Sequence, residues 1–319
     1  MAGTTDRSVA TAGGDGEWPR VASLLPGATE LVAALGVEPV GVSHECDYPP
    51  GVASLPAVNT CRIDTQGSPA AVDAAVQDAV DGGGVYDVDR ERVATLDPDV
   101  VVTQAVCDVC AVDQVAVRSA VDDLDLDASV VTLDVHSLAD LYEAVARLGE
   151  VLGREATAAA VIEGLRERVG AVAAATGEPA EGPEVVVLDW PEPPMVAGHW
   201  VPELVRVAGG RYPLADVGEA SRPREWATIR DTDPDVLVIA PCGFGLDRTP
   251  TYLDALRDRP GWSSLLAVRE GRVYAMDGHH HVNRAGPRLV ETAALLAAVV
   301  DPAALGRKAP SGLVQQVAD

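Results

Sequence analysis

Between Ser137 and Gly177, apolar residues recur three and four apart among Ala, Leu, Glu and Arg, the spacing of an amphipathic helix built from strong helix formers. Leu141, Val145, Leu148 and Val151 make one stripe, Gly153 permits a break, and Ala158, Val161, Ile162, Leu165 and Val169 continue on a second helix. That second run, Arg154 to Thr176, would extend roughly 35 Å at about 1.5 Å per residue, enough to cross a domain. Either it is a packed helix of one large α/β domain or it is a rigid spacer between two. The flanks favour a spacer, because they repeat each other. LDPDVVVTQAVC (Leu96–Cys107) lies before it and TDPDVLVIAPC (Thr232–Cys242) after it, each an Asp-Pro-Asp turn feeding a β-branched strand that ends near a cysteine. PGATELVAALG (Pro26–Gly36) and HWVPELVRVAGG (His199–Gly210) echo one another as helix start, Glu-Leu-Val and closing Gly.

Strands alternate with helices on both sides, so the expected fold class is α/β, two lobes with mostly parallel sheets joined by a long helical linker, with a ligand cleft between the lobes. The pattern divides the chain into a disordered tail (1–19), an N-terminal lobe (20–136), the linker (137–177), a C-terminal lobe (183–303) and a loose tail (304–319). In the first lobe RVASLL, a helix from Thr29 and PVGVSH form a βαβ unit. The Pro- and Gly-rich stretch from Cys46 to Ala70 reads as irregular. A helix over Pro69–Asp81, a short helix before the strand VVVTQ, a helix starting in CDVC and the strand ASVVTLDV complete that lobe. In the second, EVVVLDW and DVLVIAPC are strands, PEPPMVAGHW a loop, RPREWATIR a helix and GRVYAMDG the final strand. His279, His280 and His281 open a loop into the last helix, PRLVETAALLAAVV.

Composition changes the picture in three ways. The 319 residues suffice for two cored domains. Against 24 basic residues stand 49 acidic ones, a net charge of −25, which argues against nucleic acid or an anionic membrane as partner and is the balance expected of a high-salt interior. No apolar run reaches about 18 residues, so membrane insertion is not expected. The first twenty residues show no basic n-region, apolar h-region or lipid-attachment cysteine, and the expected location is cytoplasmic.

Five cysteines and six histidines carry the candidate chemistry. His44 and Cys46 lie two apart at a strand end, and Cys107 and Cys110 lie where a strand meets a helix, the setting that depresses a thiol pKa or presents ligands to a metal. Cys61 belongs to the same lobe; His199, Cys242, and His280 or His281 face from the other. Together they suit a zinc or iron centre in a cleft. Each also has a plainer reading, since cysteine is commonly a small buried hydrophobe and His136 is best read as structural. Glycine-rich nucleotide loops and the nucleophile-elbow motif are absent.

SLLPGATELVAALG, VGVSHECDYPP, LDPDVVVTQ, the helical middle, CxVCAV, PCGF and RVYAMDG followed by RAGPRLVE together resemble the helical-backbone substrate-binding proteins of ABC transporters for cobalamin and iron chelates, over roughly Arg20 to Ala298. The resemblance implies two Rossmann-like lobes and a ligand in the cleft between them. It implies cobalamin or a related metal chelate as the small-molecule ligand, contacted by Glu45, Tyr48, Cys61, Gln104, Trp200, His280, His281 and Arg284. An ABC permease would be the partner, docked through surface glutamates at Glu91 and Glu225, although the position matching Glu91 in the second lobe is Ala227. Binding without catalysis is the first expectation. The alternative is a cytosolic metalloprotein or redox enzyme whose zinc or iron is held by His44, Cys46, Cys107, Cys110, His199 and Cys242.

Overall fold

Short aliphatic runs with no polar alternation demand cover on both faces, and the chain supplies it by interleaving helices. The computed structural model describes residues 18–82, 84–106, 114–124, 126–302 and 310–317. In chain order the first elements are β1 (Val21–Ser23), α1 (Pro26–Ala34), β2 (Gly41–Val42), β3 (Asn59–Cys61), α2 (Pro69–Asp81), β4 (Tyr86–Val88), α3 (Arg90–Leu96), β5 (Val100–Gln104), α4 (Gln114–Asp123) and β6 (Ser129–Leu133). The helices α5 (Leu138–Val151) and α6 (Glu155–Ala175) follow. Then come β7 (Val185–Pro191), β8 (Pro194–Val196), α7 (Val201–Val207), β9 (Arg222–Pro223), α8 (Trp226–Thr232), β10 (Val236–Ile239), α9 (Thr249–Tyr252), α10 (Asp254–Arg257), α11 (Leu266–Arg269), β11 (Val273–Met276), α12 (Leu289–Val300) and β12 (Val314–Gln316).

Two units emerge, and they are interleaved in sequence. The first takes the chain up to Cys61, Tyr86–Asp134 and Tyr142–Glu163; the second takes Arg62–Val85, Val135–Leu141 and everything from Gly164 onward. This differs from the sequential division expected from the pattern, and packing gives the reason. Val72 of α2 packs with Trp190, Phe244 and Tyr252, while the backbone N–H of Leu138 donates to the Glu203 carboxylate at 2.8 Å.

In the first unit the sheet order is β2-β1-β5-β6, all parallel as expected, with Ala22 opposite Gly41, Val21 opposite Val100 and Val100 opposite Ser129. Ala22, Leu24, Val58, Val93, Val101, Val117 and Val121 form its core. The stretch read as irregular contains β3, which pairs antiparallel with β4. In the second unit the order is β12-β11-β10-β7-β8-β9. Only β11, β10 and β7 are mutually parallel; β8, β9 and β12 are antiparallel additions. The parallel core is as expected, and the antiparallel strands extend it at both edges. The segment PEPPMV, read as loop, turns back as a hairpin on β7, and the tail read as loose returns to pair Val314 with Met276.

The duplicated turn is real. Asp97 ends α3 and Asp233 ends α8, each left-handed at φ 42° and 45°. The next carboxylate, Asp99 or Asp235, accepts the backbone N–H of the residue just before the first strand of its own unit, Arg20 and Glu184, both at 2.7 Å. The same tripeptide thus ties a helix end to a strand start twice. In the helical middle the break falls at Gly153, whose φ of 64° suits a residue without Cβ. Leu141, Val145, Leu148 and Leu152 are buried on α5 and its end, and Ala158, Leu165 and Val172 on α6.

Candidate functional site

In open α/β sheets, ligand-handling groups gather outside the carboxyl ends of the parallel strands, where loops leave the sheet on either side. In the second unit those ends belong to β7, β10 and β11. Beyond β11 the chain makes one wide helical turn, Gly278–Val282. Asp277, itself buried, organises it: Oδ1 accepts the His280 backbone N–H at 2.6 Å and Oδ2 lies 2.7 Å from His280 Nδ1. A carboxylate can only accept, so the proton sits on Nδ1 and the lone pair on Nε2, the tautomer in which imidazole ligates a metal. The turn is stitched to the end of β10. Gly278 and His279 donate their N–H groups to the Phe244 carbonyl, and Asn283 donates its amide to the Ala240 carbonyl. Gly278 is required by close approach, because a Cβ there would collide with the Pro241 carbonyl oxygen.

The expected contact residues divide on inspection. His280 is half-buried at this edge. His281 points inward, 5% exposed, with Nε2 3.5 Å from the Glu291 carboxylate and Nδ1 buried without a hydrogen-bond partner among the described residues. Glu291 is held below the usual carboxylate range, first by His281 and then by Arg168, against the opposing effect of burial. Arg284 is buried and reaches back to the turn, with Nε donating to the His279 carbonyl and Nη2 3.1 Å from His279 Nε2. Trp200 is 4% exposed and its indole N–H donates to the Val282 carbonyl. Arg284 and Trp200 brace the turn, and all three side chains are buried.

A cation–aromatic cluster adjoins the turn and was missed in the sequence. The Arg248 guanidinium lies 4.2 Å from the Phe244 ring centre and donates to the Tyr252 hydroxyl and the Thr65 carbonyl. Phe244, Trp190 and Tyr252 pack against one another with centroids 5.1–5.8 Å apart. Burial raises the Tyr252 hydroxyl pKa, with Arg248 opposing. At the end of β7, pairing with β8 slips by one residue between Leu188 and Trp190, so Asp189 sits on a bulge. It is buried, and burial pushes its carboxyl up to about 6 while a Ser221 hydrogen bond works the other way.

In the first unit the edge beyond β2 holds His44, Glu45 and Tyr48. Asn59 fixes His44: its amide donates to the Leu24 carbonyl, so its oxygen is the acceptor for the His44 backbone N–H at 3.0 Å and for His44 Nδ1 at 2.9 Å. His44 therefore also carries its lone pair on Nε2, and its ring lies 5.7 Å from that of Tyr86. The Tyr86 hydroxyl donates to Glu45 at 3.4 Å. Tyr48 is exposed. Gln104 ends β5, half-buried, and Cys61 ends β3, also half-buried.

Among the described residues the expected cysteine-centred metal site does not assemble. Cys46 is buried with its sulfur 3.0 Å from the Thr29 hydroxyl, a packing role. Cys107 and Cys110 lie outside the described residues. Cys242 is held at the end of β10, where its backbone N–H donates to the Asp189 carbonyl. Among the described residues no cysteine belongs to a group of three side chains within ligating distance of one another. His199, adjacent to Trp200, pairs with His136. Glu91 is exposed in the first turn of α3 and Glu225 is exposed at the start of α8. No described helix is long and apolar enough to cross a membrane.

The profile of the periplasmic binding protein family matches residues 21–279. Among curated proteins the chain is similar to the ABC transporter substrate-binding lipoprotein YvrC of Bacillus subtilis (strain 168), at 24% identity over 291 residues, covering 89% of this chain and 80% of the relative. Among solved structures it is similar to a periplasmic heme-binding protein from Pseudomonas aeruginosa, with TM-score 0.69, 21% identity and coverage of 95% of this chain and 99% of that one. It is also similar to the periplasmic vitamin B12 binding protein BtuF of Vibrio cholerae, with TM-score 0.62, 18% identity and coverage of 91% and 99%. At these identities the structures show the fold. The comparisons also overturn the expected cytoplasmic location, since a periplasmic family and a lipoprotein relative point to an extracytoplasmic protein.

Proposed function

Because the chain belongs to the periplasmic binding protein family, whose members are substrate-binding proteins and not enzymes, we propose that it is the extracytoplasmic receptor of an ABC importer and that its cargo is a metal chelate of the corrinoid or haem kind. Two solved structures of the same fold are described as haem- and vitamin B12-binding proteins. The observation that carries the reading in this chain is the Asp277–His280 pair, with its 2.7 Å contact at Nδ1. An imidazole held by a buried carboxylate behind it is oriented and made more basic, which is what axial coordination of a chelated metal requires. The neighbouring Phe244, Trp190 and Tyr252 rings are themselves buried and back the site from within, and Arg248, stacked on Phe244, supplies a cation for peripheral carboxylates. Glu91 and Glu225, exposed at the starts of α3 and α8, are the proposed permease contacts.

The test is a visible spectrum of the purified chain after addition of hydroxocobalamin or hemin and gel filtration. Retention of one equivalent is expected, with the band positions of an imidazole-ligated metal, and His280→Ala should shift those bands and weaken binding. A retained chelate whose spectrum His280→Ala leaves unchanged would remove His280 from the site. Retention of neither chelate would refute this class of cargo. The alternative of a cysteine-held zinc or iron centre has no observation in its favour among the described residues.

A further inference from the structure

His136 and His199 stand 63 residues apart in sequence, yet their Nδ1 atoms are 2.9 Å apart and their ring centres 5.0 Å. Both belong to the second unit, and both are held in place by backbone contacts. The His136 N–H donates to the Asp140 carboxylate at 3.0 Å, and two residues on, Leu138 donates to Glu203 in the first turn of α7. His199 adopts the left-handed conformation, φ 52°, which a side chain such as histidine occupies at a cost of about 1 kcal/mol or more and only where its surroundings enforce it. Those surroundings are the Glu219 carbonyl, which accepts the His199 N–H, and the Gly218 N–H, which donates to the His199 carbonyl. A strained backbone thus aims one imidazole nitrogen at another.

Two Nδ1 atoms at hydrogen-bond distance share one proton: one ring donates it and the other accepts. Their separation has a second meaning. Two nitrogens each about 2.0–2.1 Å from one cation subtend roughly a right angle when they are about 2.9 Å apart, whereas a tetrahedral ion would spread them to about 3.4 Å. Right-angled nitrogen pairs are the preference of square or tetragonal ions, copper(II) and nickel(II), and copper(II) also leads the general order of affinity. The Asp140 and Glu203 carboxylates, bonded to backbone within two residues of His136, keep the surroundings negative.

We propose that His136 and His199 form a binding site for a tetragonal divalent transition metal, copper(II) above nickel(II) above zinc, separate from the Asp277–His280 pair. On binding, the shared proton leaves Nδ1 of the donor ring and is taken up at Nε2 of the same ring through solvent. Both Nδ1 lone pairs then face the ion, water completes its coordination, and no net proton is released from the neutral pair. The site does not depend on the identity of the chelate cargo.

The experiment titrates the full chain, stripped with chelator and free of cargo, with copper(II), reading affinity by calorimetry and ligand type by electron paramagnetic resonance. One tight equivalent showing nitrogen coupling from two imidazoles is expected. His136→Ala and His199→Asn, the latter chosen because asparagine tolerates a positive φ, should each weaken copper binding by more than the roughly 10- to 100-fold that loss of a mere supporting group costs. His280→Ala should leave it within about twofold of the parent. The proposal is overturned if the two variants bind copper as the parent does, or if His280→Ala is the variant that loses it. Should either pair variant prove unfolded by circular dichroism, the parent's nitrogen coupling decides, and a spectrum without two imidazole nitrogens is also fatal.

Discussion

Asp189→Asn should stabilise the protein at neutral pH and lose that advantage in acid. Asp189 sits on the β7 bulge, 7% exposed, and one of its carboxyl oxygens, Oδ1, is buried with no partner among the described residues. What it does have is the Ser221 hydroxyl, whose oxygen in turn accepts the Gly198 N–H at 3.0 Å. Tyr212 lies close enough for the two charges to oppose each other, and its hydroxyl pKa is raised by burial first and by Asp189 second. Burial lifts Asp189 from 3.8 to about 6. A carboxyl whose folded pKa is raised binds its proton more tightly in the folded state, so its contribution is most favourable below the unfolded pKa and is lost as pH rises through the folded one. A gap of about two units corresponds to about 3 kcal/mol at full ionisation, of which about 2.4 kcal/mol develops between about pH 4 and about pH 8. Asparagine cannot ionise, and its own unpaired amide costs the same at both pH values. Urea unfolding of parent and variant in one salt, at the two pH values, isolates the effect: the variant's stability relative to the parent should rise by about 2.4 kcal/mol from acid to neutral. An equal difference at both pH values would show that Asp189 is solvated or paired in a way its burial does not suggest, and the reasoning would fail.

Gly278→Ala should cripple chelate retention while sparing most of the fold, because the new Cβ would meet the Pro241 carbonyl and push the His279–His280 turn off β10; spectral titration beside circular dichroism checks both halves. Asp99→Ala and Asp235→Ala should each cost about 1–3 kcal/mol of unfolding free energy, since each leaves a backbone N–H, of Arg20 or Glu184, without its charged acceptor. A large effect at one position only would show that the two turns are alike in sequence but not in energetics. Leu204→Ala, at a position with no solvent exposure in α7, should cost about 2–5 kcal/mol by urea midpoint, and a loss below about 1 kcal/mol would mean that the surrounding core collapses into the gap.

Wherever a feature rests on local chemistry, the residues alone announced it. The Asp-Pro-Asp tripeptides marked two turns into strands, and each first aspartate takes the left-handed φ that this residue type tolerates; the contacts of Asp99 with Arg20 and Asp235 with Glu184, 79 and 51 residues apart, came only with the structure. Gly153 marked the break between α5 and α6 for the same kind of reason. The strands of the first unit's four-stranded sheet were visible as apolar runs between helices, and all four are parallel. The antiparallel additions were hidden. β8 is three residues with two prolines just before it, and β12 lies in a polar tail; neither carries an alternating pattern, and each becomes a strand only because a sheet edge is there to pair with.

The site divides along the same line. His280 and Asp277 are three residues apart, and a reader could have noticed them, but only the wide turn beyond β11 brings the carboxylate behind the imidazole. His44 and Asn59 are 15 residues apart and Arg248 and Thr65 are 183 apart, so no spacing rule could have joined them. Trp200, His281 and Arg284 were named as contact residues by family resemblance, and only the tertiary structure shows that all three are buried beside the turn. Periodicity and turn chemistry, acting over a few residues, determined the elements and their order; which side chains share a site was left to tertiary packing, because proximity between distant residues depends on how whole strands and helices stack and not on anything those residues encode alone.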